Sequence, residues 1–520
     1  MTARLTRRDL CLAAAGSVGF FGMKGLADAV LDVKHRLRVG ILSDIHVTKP
    51  ENANWFEKAL RYFDSVKADA VMITGDLTTW SKFAEFETVA NTWFRVFPGD
   101  RRSDGVRIER LFITGNHDVD GWAYGGARFK SVDEAKPTSF FFHRNEFWER
   151  LFHEKYEPVV VKGVKGYTFV LRNWMSILGT EATGHPLAVG FGDEASPLPE
   201  VLEGLGLRLR GKPFFYAQHE PMADTVNATW LVDGVRRKGK HTDALTRKLL
   251  ERYSNCVAFS GHTHFSLTDE MSIWQGNFTA VNCSCARGYA FTRPGYENGF
   301  AIEDFNRQPP FEMERFDNAS VRQGLVMDVF EDRIVFKRLD LTYGLPLGLD
   351  WEVPLFADGA TVMPFGRPKY DFRRRASESR APQFKPGSKV SVRFVKDGLR
   401  RMNDGKGPLD PTSSHGQIIV SFPSIVKDAS SPTRGFAFSV RCESREKDSV
   451  RILEERKVLS PNFAQSAERE TEPSVCKFPC ADFPSNRPLR FVVRAIDCWG
   501  NVGEPISTDW IERLDRLCLV

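Results

Sequence analysis

The sequence predicts an α/β domain with parallel strands, followed by a small all-β sandwich domain. Three observations point there. Short apolar runs alternate with stretches of helical period between residues 37 and 114. Five short segments rich in His, Asp and Gly each close an apolar run, as loops do at the carboxyl edge of a parallel sheet. Beyond residue 388 the pattern changes to alternating strands and turn signals with no helix.

Composition sets the outer bounds. The chain has 520 residues, 42% hydrophobic and 27% charged, with a net charge of +5. These values suit a chain with sizeable buried cores and exclude a disordered, collagenous or polytopic membrane protein. Near-neutral charge over this length argues against a dedicated nucleic-acid binder.

The N-terminus reads as an address. Arg7 and Arg8 precede a weakly apolar stretch, Leu10 to Met23, too short to span a bilayer, and Ala27-Asp28-Ala29 fits a cleavage site. Residues 1–29 therefore resemble a twin-arginine export signal peptide, which implies a periplasmic or extracellular mature protein without an integral membrane span. Its eight remaining cysteines permit disulfides in such a compartment.

The elements follow in order. Leu37–Leu42 is a strand, and Trp55, Phe56, Ala59, Leu60, Phe63 and Val66 repeat at helical spacing. Ala70–Thr74 is a strand, Phe83, Phe86, Val89, Ala90 and Trp93 mark a helix, and Arg110–Thr114 is a third strand. Later strands are expected at Tyr167–Arg172, Pro213–Ala217, Cys256–Ser260 and Gly324–Lys337. Residues 357–387 carry several prolines and the run Arg373-Arg374-Arg375, which reads as a linker or edge-wrapping segment between a domain at 36–356 and the β-sandwich at 388–515. Strands of that sandwich are expected at Lys389–Val395, Gln417–Phe422, Gly435–Cys442 and Leu489–Asp497.

The five polar segments are Ser43-Asp44-Ile45-His46, Gly75-Asp76, Gly115-Asn116-His117-Asp118, His219-Glu220-Pro221 and Gly261-His262-Thr263-His264. Aspartate supplies a hard oxygen that can bridge two cations, and neutral imidazole suits zinc, iron, manganese or cobalt. The pairs Asp44/His46 and His262/His264, on extended backbone, would each direct both side chains to one side. Glycines before Asp76, Asn116 and His262 would let the chain turn tightly. Together the segments offer seven N/O ligands, enough for two adjacent cations with positions left for water and substrate. Taken singly, Asn116 would read as a turn residue, Asp76 as a helix cap and each histidine as a surface or packing residue.

The ordered set D-x-H, G-D, G-N-H-D, H, G-H-x-H resembles the calcineurin-like metallophosphoesterases over about residues 37–356. The resemblance implies two mixed β-sheets, sandwiched and flanked by helices, with a dinuclear site at their loop ends. By motif position, one metal would take Asp44, His46, Asp76 and His264. The other would take Asp76, Asn116, His219 and His262, with Asp76 bridging. The two divalent or trivalent ions would be Mn, Fe or Zn. A metal-bridging hydroxide would attack phosphorus directly, His117 would face the phosphate as transition-state donor or acid, and Asp118 would hold the ring of His117. The segment Phe491–Asn501 resembles the last strands of a fibronectin type III domain.

The resemblance implies a phosphodiesterase or phosphatase acting on a small-molecule or headgroup phosphoester. The insertion Val119–Gly211 would set substrate choice, through Trp122, Tyr124, Phe140, Phe141, Phe142, Arg144, Phe147, Trp148 and Tyr156, any of which can equally be packing. A 5′-nucleotidase-like phosphomonoesterase is the alternative enzyme, disfavoured by the short all-β C-terminal region. An exported binding protein that works through its β-sandwich is the non-enzymatic alternative, against which the intact ligand set weighs.

Overall fold

The computed structural model describes residues 35–119, 121, 147–174, 197–227, 229, 243–287, 321–363, 368–395, 417–425, 435–447, 449–460, 464, 473–479, 483 and 487–512. The export segment 1–29, and Trp122, Tyr124, Phe140, Phe141, Phe142 and Arg144 of the insertion, lie outside these residues. No helix among the described residues is long and apolar enough to cross a membrane.

The first half of the chain runs β1 (Leu37–Leu42), α1 (Asn54–Ser65), β2 (Ala70–Thr74), α2 (Phe83–Val96), β3 (Glu109–Ile113), α3 (Asn116–Val119), β4 (Val159–Val164) and β5 (Tyr167–Arg172). It continues through α4 (Leu198–Leu205), β6 (Phe214–Ala217), α5 (Ala244–Leu250), β7 (Cys256–Ser260), β8 (Ile273–Gln275) and β9 (Thr279–Asn282). Then come β10 (Gln323–Val329), β11 (Arg333–Asp340), β12 (Leu345–Pro346), β13 (Trp351–Pro354) and α6 (Phe372–Glu378). The C-terminal strands are β14 (Ser391–Val395), β15 (Gln417–Phe422), β16 (Ala437–Arg445), β17 (Val450–Leu459), β18 (Ser474–Pro479), β19 (Leu489–Ile496) and β20 (Ile506–Ser507).

Two mixed sheets face each other. The first has strand order β12-β11-β10-β1-β2-β3, with β13 also on β11, and the second β4-β5-β6-β7-β9-β8. β1, β2 and β3 are parallel, as are β5, β6, β7 and β9. Val39, Ile41, Ala70 and Met72 of the first sheet meet Phe215, Ala217, Val257 and Phe259 of the second in one core. The alternate residues Val71 and Ile73 point the other way, into α1 and α2. On the second sheet Phe214, Tyr216 and Ala258 likewise turn outward, onto α4 and α5. Burial on both faces is why these strands are unbroken apolar runs rather than alternating ones.

The helices follow from spacing. In α1, Phe56, Ala59, Leu60 and Phe63 form the buried stripe. Burying each of the larger side chains stabilises the fold by on the order of 1.5–3 kcal/mol. In α2 the stripe is Phe86, Val89, Ala90 and Trp93, and the Glu85 carboxylate closes its first turn by accepting from the amide of Trp80 at 2.8 Å.

Two expectations are corrected. Gly324–Lys337 is a hairpin of β10 and β11, because Phe330 to Arg333 close a turn that the apolar pattern hides. The stretch 357–387, expected as a linker or edge-wrapping segment, contains α6, capped by Asp371, with Phe372 buried behind the second sheet. Of the two roles left open for Phe147, Trp148 and Tyr156 of the insertion, the structure shows packing, behind the first sheet. Cys256, Cys283, Cys285, Cys442 and Cys498 are buried free thiols.

The C-terminal strands form two sheets, β14-β15-β18 and β17-β16-β19-β20, around a core that includes Ile418, Val420, Phe438, Val440, Phe478 and Phe491. This all-β sandwich rests on the α/β part: Trp499 packs edge-on to Phe372 at 5.5 Å, and Gln323 donates to the carbonyl of Ala464 at 2.8 Å.

Candidate metal centre

Each of the five polar segments leaves the carboxyl end of a parallel strand: β1, β2 and β3 in one sheet, β6 and β7 in the other. Because the sheets face each other with these ends on the same side, the segments meet. The backbone there is not extended as expected. Asp44, His46, Asp76, His262 and His264 all adopt positive φ, between 44° and 65°. A non-glycine residue pays on the order of 1–2 kcal/mol for this conformation, and such strain gathers where side chains must be aimed. Space, more than turning, explains two glycines. A Cβ at Gly115 would collide with the Asp76 carboxylate, and one at Gly261 with Ser43 and Asp44. Only Gly75 among the three combines this crowding, against His219, with a positive φ of 98°.

All seven expected ligands converge. Donor atoms of Asp44, His46, Asp76 and His264 lie within 4.8 Å of one another, and those of Asp76, His219 and His262 form a second such group, so Asp76 belongs to both. Asn116 Oδ1 lies 3.0 Å from His219 Nε2 and 3.0 Å from His262 Nδ1. His264 Nε2 is 2.6 Å from Asp44 Oδ1, and His219 Nε2 is 3.2 Å from Asp76 Oδ2. Outer contacts set the ring orientations: His219 Nδ1 donates to the carbonyl of Thr74 at 2.8 Å, leaving Nε2 toward the cluster.

Cations fit this donor set. His46 Nε2 and Asp76 Oδ2 are buried with no hydrogen-bond partner, 3.6 Å apart. Buried polar atoms are rarely left so, and a cation between them satisfies both. Burial brings the His46 pKa down to about 3, which keeps the ring neutral as coordination requires. Burial also opposes charge on His219, but the Asp76 and Asp44 carboxylates outweigh it and push that ring up to about 10, so a cation binding there would displace the proton on Nε2. Against its own burial, Asp76 is held well below the usual carboxylate range by His219 and His117.

His117 sits beside the ligands without joining either group. Its ring is edge-on to that of His46, centroids 4.8 Å apart, and its amide donates to Asp76 Oδ1 at 2.8 Å. The expectation that Asp118 holds this ring is corrected. His117 Nδ1 donates to the carbonyl of Thr79 at 2.9 Å. Asp118 instead accepts the amides of Leu77, Thr78 and Gly115 at 3.0, 2.7 and 2.9 Å, and the Thr78 hydroxyl at 2.8 Å. Side chains of successive helical residues point apart, so Asp118 faces the loop after β2 while His117 faces the ligands. Burial and the charge of Asp76 push the Asp118 carboxyl up to about 7.

Three residues at the centre had no sequence motif. Trp174 stacks on His262, centroids 6.3 Å apart, and meets His219 edge-on. Thr79 orients His117, as described. Arg287, 8% exposed, reaches back to the loops after β1 and β2. The one available signal for Arg287 was its place just beyond β9, at the same sheet edge as the five segments.

Residues 37–266 match the model of the family described as calcineurin-like phosphoesterase. No curated protein matches the chain in sequence. Solved structures with similarity include a dimetal phosphatase from Danio rerio, at 11% identity, covering 62% of this chain and 99% of that one with a TM-score of 0.35. GAP50, the anchor in the inner membrane complex of Plasmodium, is 12% identical over 65% of this chain and 91% of its own, TM-score 0.33. Vacuolar protein sorting 29 from Cryptosporidium parvum is 11% identical over 62% and 98%, TM-score 0.26.

Proposed function

We propose that this protein is an exported, dinuclear-metal phosphoesterase that hydrolyses phosphodiester, or phosphomonoester, bonds by direct attack of water. The observation that carries this reading is the pair of ligand groups sharing Asp76, inside a calcineurin-like phosphoesterase domain. Asp44, His46, Asp76 and His264 would hold one cation, and Asp76, Asn116, His219 and His262 the other. Two such cations lower the pKa of water and neutralise developing phosphoryl charge.

The chain's own residues supply the rest. Asp76 divides its oxygens: Oδ1 accepts the His117 amide, and Oδ2 is one of the orphaned atoms turned toward the ligands. Donation from His117 Nδ1 to the Thr79 carbonyl fixes that nitrogen as the protonated one. Proton transfer to a leaving oxygen, or donation to a phosphoryl oxygen, therefore uses the doubly protonated ring, whose second proton is carried on Nε2. Hydrolysis needs no covalent intermediate, since the seven converging ligands and His117 provide activation and charge stabilisation. Substrate choice would lie in 119–211, and export would follow from Arg7-Arg8 and the apolar stretch after them.

The test is metal analysis of the purified protein with turnover of bis(p-nitrophenyl) phosphate beside p-nitrophenyl phosphate. Two transition-metal ions per chain and chelator-sensitive hydrolysis, with the diester preferred, are expected. A protein that binds no metal and turns over neither ester contradicts the proposal.

A further inference from the structure

Arg287 lies outside every motif, yet it joins the parts of the centre that matter most to His117. The segment carrying it is strapped along the loop after β1: the amide of Ala286 donates to the carbonyl of Ser43 at 3.0 Å, and the Cys285 thiol to that of Asp44 at 3.4 Å. From there the guanidinium Nη1 donates to the carbonyl of His46 and, at 2.5 Å, to Thr79 Oγ1. Thr79 Oγ1 itself donates to the same His46 carbonyl at 3.2 Å. The other end of Thr79, its carbonyl, accepts from the His117 ring. Ser81, two residues on, donates to the Asp118 carbonyl at 2.6 Å and closes the loop against α3.

We infer that Arg287 is a positioning residue for His117, acting through Thr79, and so sets the rate of the phosphoester chemistry without holding metal or substrate. This rests on the proposed function, in which His117 is the residue that touches phosphate. The physical argument is one of geometry. A carbonyl orients an imidazole only if its own peptide is fixed: the Thr79–Trp80 peptide is held at its amide by Glu85, at 2.8 Å, and beside its carbonyl by Arg287 on the Thr79 hydroxyl. One terminal nitrogen, Nη1, bridges two acceptors on different loops with its two hydrogens fixed in the guanidinium plane, an orientation that a rotating lysine ammonium does not hold. Both Thr79 and Arg287 are buried, at 7% and 8% exposure, so water does not substitute readily for the lost donor.

The experiment is a double-mutant cycle on the full chain with metals loaded, combining Arg287→Met with His117→Ala and following kcat, KM and metal content on p-nitrophenyl and phenyl esters. In the wild-type background Arg287→Met is expected to keep both metals, leave KM near its starting value and lower kcat roughly 10–100-fold, the usual scale for an outer partner of a site. In the His117→Ala background the same change should cost nothing further, and Arg287→Lys should recover only part of the loss. Thr79→Val, which removes the hydroxyl and keeps the carbonyl, is expected to give the same pattern and serves if Arg287→Met does not fold. Losses that multiply in the double variant overturn the inference, as does loss of a metal, which would make Arg287 a support for His46. If His117→Ala itself leaves kcat unchanged with metals bound, the functional reading falls and this inference with it. If His117→Ala is impaired but the losses multiply, only this inference falls.

Discussion

Asp44 and His262 are joined through the backbone: Asp44 Oδ2 accepts the amide of His262 at 3.0 Å, while Oδ1 of the same carboxylate lies 2.6 Å from His264 Nε2. One side chain thus pins the loop after β1 in the first sheet to the loop after β7 in the second. The two sheets are held in register at the place where the expected ligands meet, and a change at the residue common to both groups should be felt by both.

Asp76→Asn tests that sharing most directly. The amide keeps an oxygen for the His117 backbone but removes the charge common to both ligand groups. Metal content should fall and turnover should drop by more than the roughly 10–100-fold typical of an outer partner. Elemental analysis beside kcat decides it, and two metals per chain with normal turnover would contradict the assignment.

His117→Ala should behave differently, because His117 lies outside both ligand groups. Both metals should stay bound while turnover falls on the order of 10²–10³. If His117 is the acid, the loss shrinks for esters with good leaving groups; if it only stabilises phosphoryl charge, the loss is constant along a phenyl ester series. Loss of one metal would make His117 a ligand.

Asp118→Asn should act on the loop rather than on the ring of His117. Four donors converge on this carboxylate, and an amide nitrogen would face some of them. A destabilisation of about 1–3 kcal/mol is expected, read as a lower unfolding midpoint in urea, with weaker metal binding through the displaced Asp76 and Asn116. Unchanged stability with altered leaving-group dependence would restore Asp118 as the partner of His117.

Glu85 gives a pH test away from the ligands. Burial pushes its carboxyl up to about 7 from 4.5, against the donated amides of Trp80 and Lys82. Below pH 4.5 the group is protonated in both states. Between 4.5 and about 7 the unfolded chain releases its proton while the folded chain retains it, so stability falls as pH rises. Relative to Glu85→Gln, whose amide oxygen still accepts from Trp80, the wild type should lose roughly 3 kcal/mol across that window. Urea unfolding of both proteins at a series of pH values measures it, and a constant difference would contradict the shift.

Much of the centre was legible because a strand buried on both faces is an apolar run, and such a run ending in Gly, Asp or His marks a loop at the sheet edge. β1, β2 and β7 were readable in this way to the residue, and so were the segments that follow them. β17 was not, because a partly exposed strand carrying Arg451, Glu454, Glu455, Arg456 and Lys457 has no apolar run to betray it. The β10–β11 turn was hidden for the opposite reason, since apolar residues flank it closely on both sides.

The sequence by itself determined which side chains are offered to the centre: their type and order follow from local strand and loop chemistry. The tertiary structure alone decided how they are aimed. The positive φ of five expected ligands, the Thr79 carbonyl behind His117 and the engagement of Asp118 with a neighbouring loop all depend on packing between sheets. Arg287 is 241 residues from the His46 carbonyl and 208 from the Thr79 hydroxyl it contacts. No spacing pattern encodes an approach over that distance; it exists only once the two sheet edges have closed on each other and left a buried donor beside buried acceptors.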